Sequence, residues 1–399
     1  MSNLKVAIYT QTFPPKSGGV STSHYNIYNL LKDSYTIKVF AFNEKESITS
    51  DTVVKRSNIK WLSNILFKLF QIKYKSKSKK SKLACVKFII DSFIPVLRLN
   101  KPLKQFNPDI IIVPDFNIPS YLICKPKKTK LIWMARHNYF RFRNNILLEQ
   151  LDFLDTDIAS SMERNAMRKV DAVISPSQFM IASYKDGLYA DKPIFCIPNF
   201  MEQKVFEIIK GKSIKNSVFP KNKKVIYIPS AGSIVKGKRY VFEIIRRLSS
   251  TNNDIYFYLS GTIPEDLKLE LLPFKNQIYA PGHINWDDNF INVMQCYMGI
   301  TPNLEENFSN AILEAQTSGV PFVAFDTGGN KEIIINEETG FIVPYLDIEA
   351  ILNKSTILLK DTQLQKSFGD NSNSLCAKRF NNKRIKEEYK KVFEQITGK

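Results

Sequence analysis

Short continuous runs of apolar residues, each ending at glycine, proline or a small polar residue, recur along the first half of the chain. Such runs are typical of strands in a parallel sheet, because both faces of such a strand are covered. The first run leads into the glycine pair Gly18-Gly19 and then into a predicted helix over residues 22–31. The pattern predicts a parallel sheet with strands at residues 6–9, 37–41, 109–114, 130–134, 172–175 and 194–199.

The same alternation of strand, glycine turn and helix begins again at residue 224, with a strand over 224–229, Gly232 and a helix over 240–248. Two consecutive sets predict an α/β protein with two doubly wound domains, at residues 1–205 and 206–380. A charged amphipathic helix is predicted over 381–399, and the polar stretch 210–224 is the predicted linker. The other strands of the second set are predicted at residues 254–259, 277–280, 299–302, 321–325 and 340–344.

Length and composition narrow the class of protein. A chain of 399 residues is long enough for two or three domains, and 44% hydrophobic residues exclude a wholly disordered chain. The five cysteines form no CxxC pair, so neither a metal site nor a disulfide framework is predicted. The first residues run directly into a predicted strand without a secretory leader, so we expect a cytoplasmic protein. The longest apolar stretch, 83–97, is shorter than the ~20 residues of a membrane-spanning helix and is interrupted by Lys87 and Asp91.

The positive charge of the chain is concentrated in one segment. The chain has a net charge of +19, and residues 52–108 contribute +13 of it, with Asp91 as their only acid. So strong a basic balance points to an anionic partner. A lysine- and serine-rich run over 73–82 separates two apolar stretches, of which the second is 83–97. The first stretch has apolar residues at helical spacing, namely Trp61, Leu62, Ile65, Leu66, Leu69 and Phe70.

Two interpretations of this basic segment stay open. An apolar stripe beside a lysine cluster is typical of a helix at the surface of an anionic membrane, which would make residues 55–104 the membrane contact. The protein would then be peripheral on the inner face of the cell membrane. The alternative is a solvated charged loop between two ordinary packed helices. Nucleic acid is not expected as a partner, because no helix-turn-helix, zinc-finger or RNA-recognition signature is present.

Two acidic residues flank a predicted helix start in the second half. A strand is predicted to end near Thr301 and a helix to begin near Ser309, which puts Glu306 in the loop and Glu314 one turn inside the helix. The free N–H groups at such a helix start can hold a diphosphate. A carboxylate on each side can accept hydrogen bonds from the ribose and the sugar of a nucleotide-sugar. Spacing alone also fits a capped core helix that carries a surface glutamate.

The sequence around these acids resembles the E-x7-E region of family 4 glycosyltransferases. Glu306 and Glu314 are followed by Gly319-Val320-Pro321, by a turn with Gly328-Gly329 and by the strand 340–343, all in the order that the family shows. Three further resemblances lie in the first half, at Gly18-Gly19, Pro176-Ser177 and Ile197-Pro198-Asn199. The resemblance implies the GT-B fold, in which two Rossmann-like domains face a cleft. The first domain would bind the acceptor, the second would bind the nucleotide-sugar, and the C-terminal helix would pack back on the first.

The resemblance also implies roles for individual residues. Glu306 would contact hydroxyls of the transferred sugar, and Glu314 would hold the ribose. Lys236, in Lys236-Gly237, would neutralise the charge that grows on the departing nucleoside diphosphate, which a fixed cation does without a metal. His137 would lie near the transferred sugar, at the carboxyl end of a strand. Further donor contacts are expected from the backbone of Phe308, Ser309 and Asn310, and from Gly282, His283, Gly18 and Gly19.

The sequence departs from the family at one phosphate ligand. Family members carry Gly-Arg ahead of the Lys-Gly pair, whereas this chain has Gly232-Ser233. We expect Arg239 or Lys238 to take the place of the missing arginine. No cofactor is expected other than the nucleotide-diphosphate sugar itself, which is a substrate, and metal-independent transfer is expected.

Three functions follow from these expectations. The leading one is a retaining glycosyltransferase that moves a sugar to a saccharide or lipid-linked acceptor, in cell-surface polysaccharide or lipopolysaccharide assembly. The second is a nucleotide-sugar epimerase of the same two-domain shape, which would need no acceptor. The third is a catalytically weak, membrane-docked scaffold, which the serine at position 233 would favour.

Overall fold

The computed structural model describes residues 4–14, 19–74, 83–139, 141, 147, 153–187, 191–211 and 217–398. The chain divides into two compact units. The first unit is Met1–Ile197 together with Ile385–Lys399, and the second is Pro198–Arg384. The division lies earlier than residue 205, because Met201 and Val205 are buried in the core of the second unit.

The first unit is built on a sheet that has eight strands in the described part of the chain, in the order β3-β4-β2-β1-β5-β6-β7-β8. Neighbouring strands are parallel except β3 and β4, which are antiparallel. Strand β5 is buried along its whole length, which is why its sequence is continuously apolar. The strands are β1 Lys5–Thr10, β2 Thr36–Glu44, β3 Ile48–Thr49, β4 Val53–Ser57, β5 Ile110–Pro114, β6 Lys130–Met134, β7 Ala172–Ser175 and β8 Ile194–Cys196.

Helices cover this sheet. The basic segment forms two of them, α2 Lys60–Tyr74 and α3 Ala84–Phe106, so the predicted apolar stretch 83–97 begins at the residue before α3 and continues within it. The N-terminus of α3 is fixed by the buried Asp155, whose carboxylate accepts the backbone N–H groups of Cys85 at 2.6 Å and Val86 at 2.9 Å. The described helices before residue 198 are α1 Gly19–Leu31, α2 Lys60–Tyr74, α3 Ala84–Phe106, α4 Phe153–Met167 and α5 Gln178–Gly187.

The second unit has a fully parallel sheet of six described strands, in the order β11-β10-β9-β12-β13-β14. The strands are β9 Lys224–Ile228, β10 Ile255–Leu259, β11 Ile278–Tyr279, β12 Met298–Thr301, β13 Phe322–Phe325 and β14 Gly340–Val343. The helices that follow in chain order are α6 Gln203–Gly211, α7 Lys238–Thr251, α8 Glu265–Leu271, α9 Trp286–Val293, α10 Asn310–Thr317, α11 Asn330–Ile333, α12 Ile348–Lys360 and α13 Thr362–Arg379. The last helix, α14 Asn382–Thr397, belongs to the first unit from Ile385 onward, where the ring of Phe393 packs edge-on against Tyr35 at 5.3 Å.

The strand order of each sheet reverses at one place. In the first sheet β1 lies between β2 and β5, and in the second sheet β9 lies between β10 and β12. Parallel α/β sheets bind ligands outside the carboxyl ends of the strands at such a switch point. The loops after β1, β5, β9 and β12 are therefore the expected positions of ligand-binding residues.

No helix within the described ranges is long and apolar enough to cross a membrane.

Candidate functional site

The loops after β9 and β12 meet at the switch point of the second sheet. Lys236, in the loop after β9, donates from Nζ to Oε2 of Glu306, in the loop after β12, at 2.5 Å. The backbone joins the same loops, because the carbonyl of Val235 accepts the N–H groups of Leu304 at 3.0 Å and Glu305 at 3.2 Å. Two residues that are 70 positions apart in the sequence thus form one ion pair beside the start of α10.

The Glu306 carboxylate is buried and is held from several directions. Asn303 donates from Nδ2 to Oε2 at 2.8 Å, and the backbone N–H of Asn307 donates to Oε1 at 3.0 Å. Asn303 is in turn oriented by the hydroxyl of Thr301, the last residue of β12. The Lys236 side chain is half-buried and more exposed than that of Glu306, so solvent can reach the cation of this ion pair.

Two glycines let the backbone approach these loops closely. Gly237 has a φ of +83°, and a Cβ there would lie 2.0 Å from the carbonyl oxygen of Pro302. Gly328 has a φ of +60°, and a Cβ there would lie 2.2 Å from the carbonyl oxygen of Glu306. Only glycine combines this backbone conformation with this proximity. The Gly328-Gly329 turn therefore packs directly on the Glu306 loop, and Gly329 N–H donates to the Asn307 carbonyl at 2.8 Å.

The N-terminus of α10 lies at the same place. Ser309 is its N-cap, with a side chain that accepts the Ile312 N–H, and the first N–H groups of the helix have no intrahelical partner. The amide of Asn199 donates to Oδ1 of Asn310 at 2.6 Å, which holds the helix start from the second unit's first residues. The ring of Phe308 is buried edge-on against Phe380, with 5.7 Å between the centroids. The predicted backbone contacts thus belong to a fixed helix start.

Glu314 lies one turn into α10, and its Oε1 accepts the indole N–H of Trp286 at 2.9 Å. Burial raises the pKa of Glu314 to about 7, and the hydrogen bond from Trp286 opposes the rise. The Trp286 ring is itself fixed by stacking on Phe290, with centroids 5.0 Å apart. Glu306 and Glu314 therefore differ: the first is paired with a cation and the second with a neutral donor.

Four other predicted residues lie on neighbouring loops and helices. Lys238 forms an ion pair with Asp266, and Arg239 lies exposed on α7 with its guanidinium 5.5 Å from the centroid of its neighbour Tyr240. Gly282 has a φ of +79° with no atom within 4 Å of a Cβ, and it lines a cavity of about 490 Å³. His283 follows it and is exposed.

The first unit has a second group at the carboxyl end of its sheet. His137 follows β6, and its half-buried ring packs edge-on against Phe116 at 4.9 Å and Tyr139 at 4.7 Å. Burial lowers the pKa of His137 to about 3, and the nearby charge of Arg141 lowers it further. The imidazole is therefore neutral at physiological pH and can donate and accept hydrogen bonds. Gly19 begins α1, and Gly18 lies outside the described residues.

Two buried carboxylates hold the loop that carries His137. Asp115, directly after β5, accepts at Oδ2 the backbone N–H groups of Arg136 at 2.6 Å, His137 at 2.5 Å and Asn138 at 3.3 Å. Glu163 of α4 accepts the N–H of Tyr139 at 3.3 Å. Burial raises the pKa of Glu163 well above its usual range, and the negative charge of Asp115 adds to the shift. The histidine is thus carried on a loop that is anchored at four consecutive amides.

Sequence reasoning missed Asp115, Glu163, Asn303 and Trp286. Asp115 carried a usable signal, since a carboxylate that directly follows a buried parallel strand lies at the ligand-binding edge of the sheet. Asn303 lies between Thr301 and Glu306 and has the same kind of signal. Trp286 and Glu163 contact the site from separate helices, and nothing in their local sequence indicates this.

Two doubly wound units, with polar loops at the switch point of each sheet, define a protein of the GT-B architecture. A solved structure of this fold, Anabaena HepE in complex with UDP and glucose, is similar with a TM-score of 0.70 and 16% identity, over 98% of this chain and 99% of that one. Residues 17–203 match the family described as Glycosyltransferase Family 4, and residues 210–374 match Glycosyl transferases group 1. The chain belongs to the family 4 glycosyltransferases, as the sequence resemblance predicted.

Curated relatives match parts of the chain. The capsular polysaccharide biosynthesis glycosyltransferase CapM of Staphylococcus aureus is 31% identical over 28% of this chain and 29% of its own length. The N-acetyl-alpha-D-glucosaminyl L-malate synthase of Bacillus anthracis is 21% identical over 59% of this chain and 63% of its own length. The chain thus spans less than two thirds of the length of either relative.

Proposed function

We propose that the protein is a retaining glycosyltransferase that transfers a sugar from a nucleotide-diphosphate sugar to a saccharide or lipid-linked acceptor. The observation that carries this proposal is the Lys236–Glu306 pair beside the N-terminus of α10, at the switch point of the second sheet. An ammonium has three donors, so Lys236 can contact Glu306 and two phosphate oxygens at once. Glu306 can accept hydroxyls of the sugar that is attached to those phosphates.

In this reaction the site would have to stabilise the leaving group, which is the nucleoside diphosphate. The bond between the anomeric carbon and the diphosphate breaks, and a bond from the oxygen of an acceptor hydroxyl forms on the same face of the sugar. The proton of that hydroxyl passes to the oxygen of the departing diphosphate. The electron pair leaves with the diphosphate, whose growing charge the Lys236 cation and the helix N-terminus neutralise. Glu314 would hold the ribose on the other side of the diphosphate. These donors are fixed by the loop contacts before substrate arrives, which is what electrostatic catalysis requires.

The first unit would bind the acceptor. A neutral His137 on an anchored loop suits the hydrogen bond to a hydroxyl of the transferred sugar that the family resemblance implies for this residue. The names of the relatives include both a polysaccharide pathway and a synthase whose product contains L-malate, a small acid. The basic segment favours the first class, because lipid-linked saccharides carry phosphate and are found at membranes. We therefore propose polysaccharide or glycolipid assembly at an anionic membrane surface, with the described parts of the predicted segment 55–104, residues 55–74 and 83–104, as the contact; residues 75–82 lie outside the described residues.

The donor site is tested by titration calorimetry of the whole protein with UDP, GDP, ADP and their common sugar conjugates. We expect one nucleotide to bind best, and we expect Lys236→Ala to weaken it by at least about tenfold, which is the loss of a charge-assisted contact. Lys354→Ala is the matched control, because this lysine of the second unit pairs with Glu337 at 3.2 Å and is not among the predicted donor contacts. Glu306→Gln should weaken the sugar conjugate more than the nucleotide alone.

Equal affinities for wild type and Lys236→Ala would contradict this donor site. Retention is tested separately, by the anomeric configuration of the product in proton NMR. A product with the configuration of the donor supports it, and an inverted product refutes it. Conversion of the donor to another nucleotide-sugar with no acceptor present would indicate an epimerase instead.

A further inference from the structure

Helix α2 presents a second apolar face, and this one points to solvent. Its inner face packs on the core of the first unit through Leu66, Phe67, Phe70 and Tyr74. Its outer face carries large apolar side chains that are exposed at helical spacing: Trp61 by 66%, Ile65 by 46%, Leu69 by 59% and Ile72 by 69%. These four residues, spaced by four, four and three, lie along one side of the helix. We call them the outer stripe.

The surroundings of the outer stripe are positively charged. Helix α2 has no acidic residue, and its three lysines, Lys60, Lys68 and Lys73, are exposed. The only acid of residues 52–108 is Asp91, and it is paired with Lys87 at 2.5 Å. Nζ of Lys87 also lies 5.6 Å from the centroid of the Phe67 ring, which places a cation from α3 beside α2.

A comparison with α8 shows that apolar exposure and positive charge need not occur together. In the second unit, Leu269 and Leu272 are exposed by 60% and 55% at the end of α8. The same helix carries three acids, Glu265, Asp266 and Glu270, but Glu265 pairs with Lys268 and Asp266 pairs with Lys238, so its exposed leucines lie in surroundings of mixed charge. The outer stripe of α2 is longer, contains the exposed tryptophan and lies among lysines.

We infer that the outer stripe inserts into the interfacial layer of an anionic lipid leaflet, with the lysines of α2 against the lipid headgroups. In such a leaflet the apolar side chains would contact the acyl chains, and the flanking lysines would contact the anionic headgroups. A tryptophan is typical of the boundary between these two layers. A second copy of the chain is a poorer occupant, because two segments that each carry +13 repel one another. Insertion would bring the unit proposed to bind the acceptor to a lipid-linked acceptor. In this respect the inference rests on the proposed function and adds the docking face to it.

The experiment is co-sedimentation of the full chain with vesicles of phosphatidylcholine, with and without an equal amount of phosphatidylglycerol. Wild type should partition into the anionic vesicles at least about tenfold more strongly than into the zwitterionic ones. Replacement of the outer stripe by Trp61→Gln, Ile65→Gln, Leu69→Gln and Ile72→Gln should reduce this partitioning at least about tenfold. Glutamine keeps helix propensity, and the four positions are exposed, so the fold should persist, as circular dichroism will check.

The matched control is Leu269→Gln with Leu272→Gln, which removes exposed apolar side chains from a surface of mixed charge and should leave sedimentation unchanged. Lys60→Glu with Lys68→Glu should remove the preference for anionic vesicles. Several results would overturn the inference. These are no sedimentation of wild type with anionic vesicles, full binding by the outer-stripe variant, or dimerisation of wild type that the outer-stripe variant abolishes.

Nucleotide binding by the same preparations separates this inference from the proposed function. A chain that binds nucleotide and does not sediment refutes the docking face alone. A chain that sediments through the outer stripe and binds no nucleotide supports the docking face and refutes the donor site.

Discussion

Glu306 and Asp115 occupy corresponding places in the two units and are used differently. Each follows a strand that flanks the switch point of its sheet, β12 in the second unit and β5 in the first. Glu306 accepts from the side chains of Lys236 and Asn303, and its cationic partner is half-buried. Asp115 is sealed from solvent and accepts from three backbone amides and, at 3.2 Å, from the Tyr184 hydroxyl.

The hydrogen-bond partners of the two carboxylates distinguish one that can bind a ligand from one that stabilises a loop. A side-chain cation next to a carboxylate can exchange partners when a phosphate arrives, because a lysine has spare donors and a flexible stem. Backbone amides have one donor each and move only with the loop. We therefore expect changes at the Glu306 loop to affect donor binding and changes at Asp115 to affect the stability of the first unit.

The largest effect is expected from Gly328→Ala, which forces the Glu306 loop to move. A left-handed φ costs a residue with a Cβ about 1–2 kcal/mol, and the close approach to the Glu306 carbonyl adds to it, for a total of about 3 kcal/mol. The affinity for the nucleotide-sugar donor should fall as well, because the Glu306 loop has moved. Gly282→Ala is the control, because its φ is also positive but its Cβ would meet nothing, so about 1 kcal/mol is expected. Denaturant unfolding measures both, and equal losses would contradict the close-contact argument.

Asp115→Asn tests the other carboxylate. The variant keeps the shape and can keep an oxygen toward the amides, but it removes the charge that strengthens these hydrogen bonds and buries an NH2 group at the position of Oδ1, which has no hydrogen-bond partner among the described residues. We therefore expect a loss of about 2 kcal/mol in the free energy of unfolding. Asp109→Asn is the comparison, because its Oδ2 accepts the N–H of Lys5 at 2.9 Å near the surface, and a smaller loss of about 0.5 kcal/mol is expected. Nucleotide affinity should stay at the wild-type value in both. A loss of nucleotide binding in Asp115→Asn without a loss of stability would contradict the assignment.

A third carboxylate, Glu314, gives a pH-dependent prediction. Its folded pKa of about 7 lies above its usual value, so the folded state binds this proton more tightly than the unfolded chain does. Its stabilising contribution is complete below the unfolded pKa and is lost as the pH rises through about 7. We expect a fall of about 1–2 kcal/mol in the free energy of unfolding between pH 5 and 8, partly screened by solvent.

Glu314→Gln should flatten this pH profile, and Trp286→Phe should steepen it. The indole N–H stabilises the charged carboxylate, so its removal raises the pKa further. Denaturant unfolding across the pH range is the measurement. A Glu314→Gln profile as steep as that of wild type would show that another group carries the dependence.

The two sheets and the Glu306 loop were both predicted from the sequence, but from different signals. Continuous apolar runs identify buried parallel strands directly, because both faces are covered. Glu306, Ser309 and Glu314 lie within one loop-helix segment, so local spacing predicts their proximity. Lys236 lies 70 positions from Glu306, and only the family resemblance put both residues in one donor site; the ion pair between them was not predicted.

The features that the sequence did not predict depend on how segments distant in the chain pack together. Asp115 is an ordinary aspartate until the loop after β6 turns three amides toward it. Helix α2 has apolar residues on two of its faces, and periodicity alone placed Ile65 and Leu66 in one stripe. The fold separates them, because one faces the core and the other faces solvent. A pattern of apolar residues therefore predicts the helix but not which of its faces is covered.

The smallest effect is expected from Ser233→Arg, which restores the residue that the family carries ahead of the Lys-Gly pair. The Ser233 carbonyl accepts the N–H groups of Lys236 at 3.0 Å and Lys238 at 3.1 Å, so the loop is already folded around this position. The side chain at position 233 is half-buried, so an arginine there is not enclosed by the core. A second, partly screened cation should tighten nucleotide binding about threefold.

Ser233→Gln separates charge from size in this experiment, because it offers a long polar side chain without a positive charge. We expect it to bind like wild type in calorimetry, while Ser233→Arg binds more tightly and loses the gain at high salt. If Ser233→Arg instead raised affinity a hundredfold and turned an inactive chain into an active one, the serine would mark a scaffold that has lost transfer. A threefold gain on an active enzyme indicates that Lys236 and the start of α10 already supply most of the charge that the diphosphate needs.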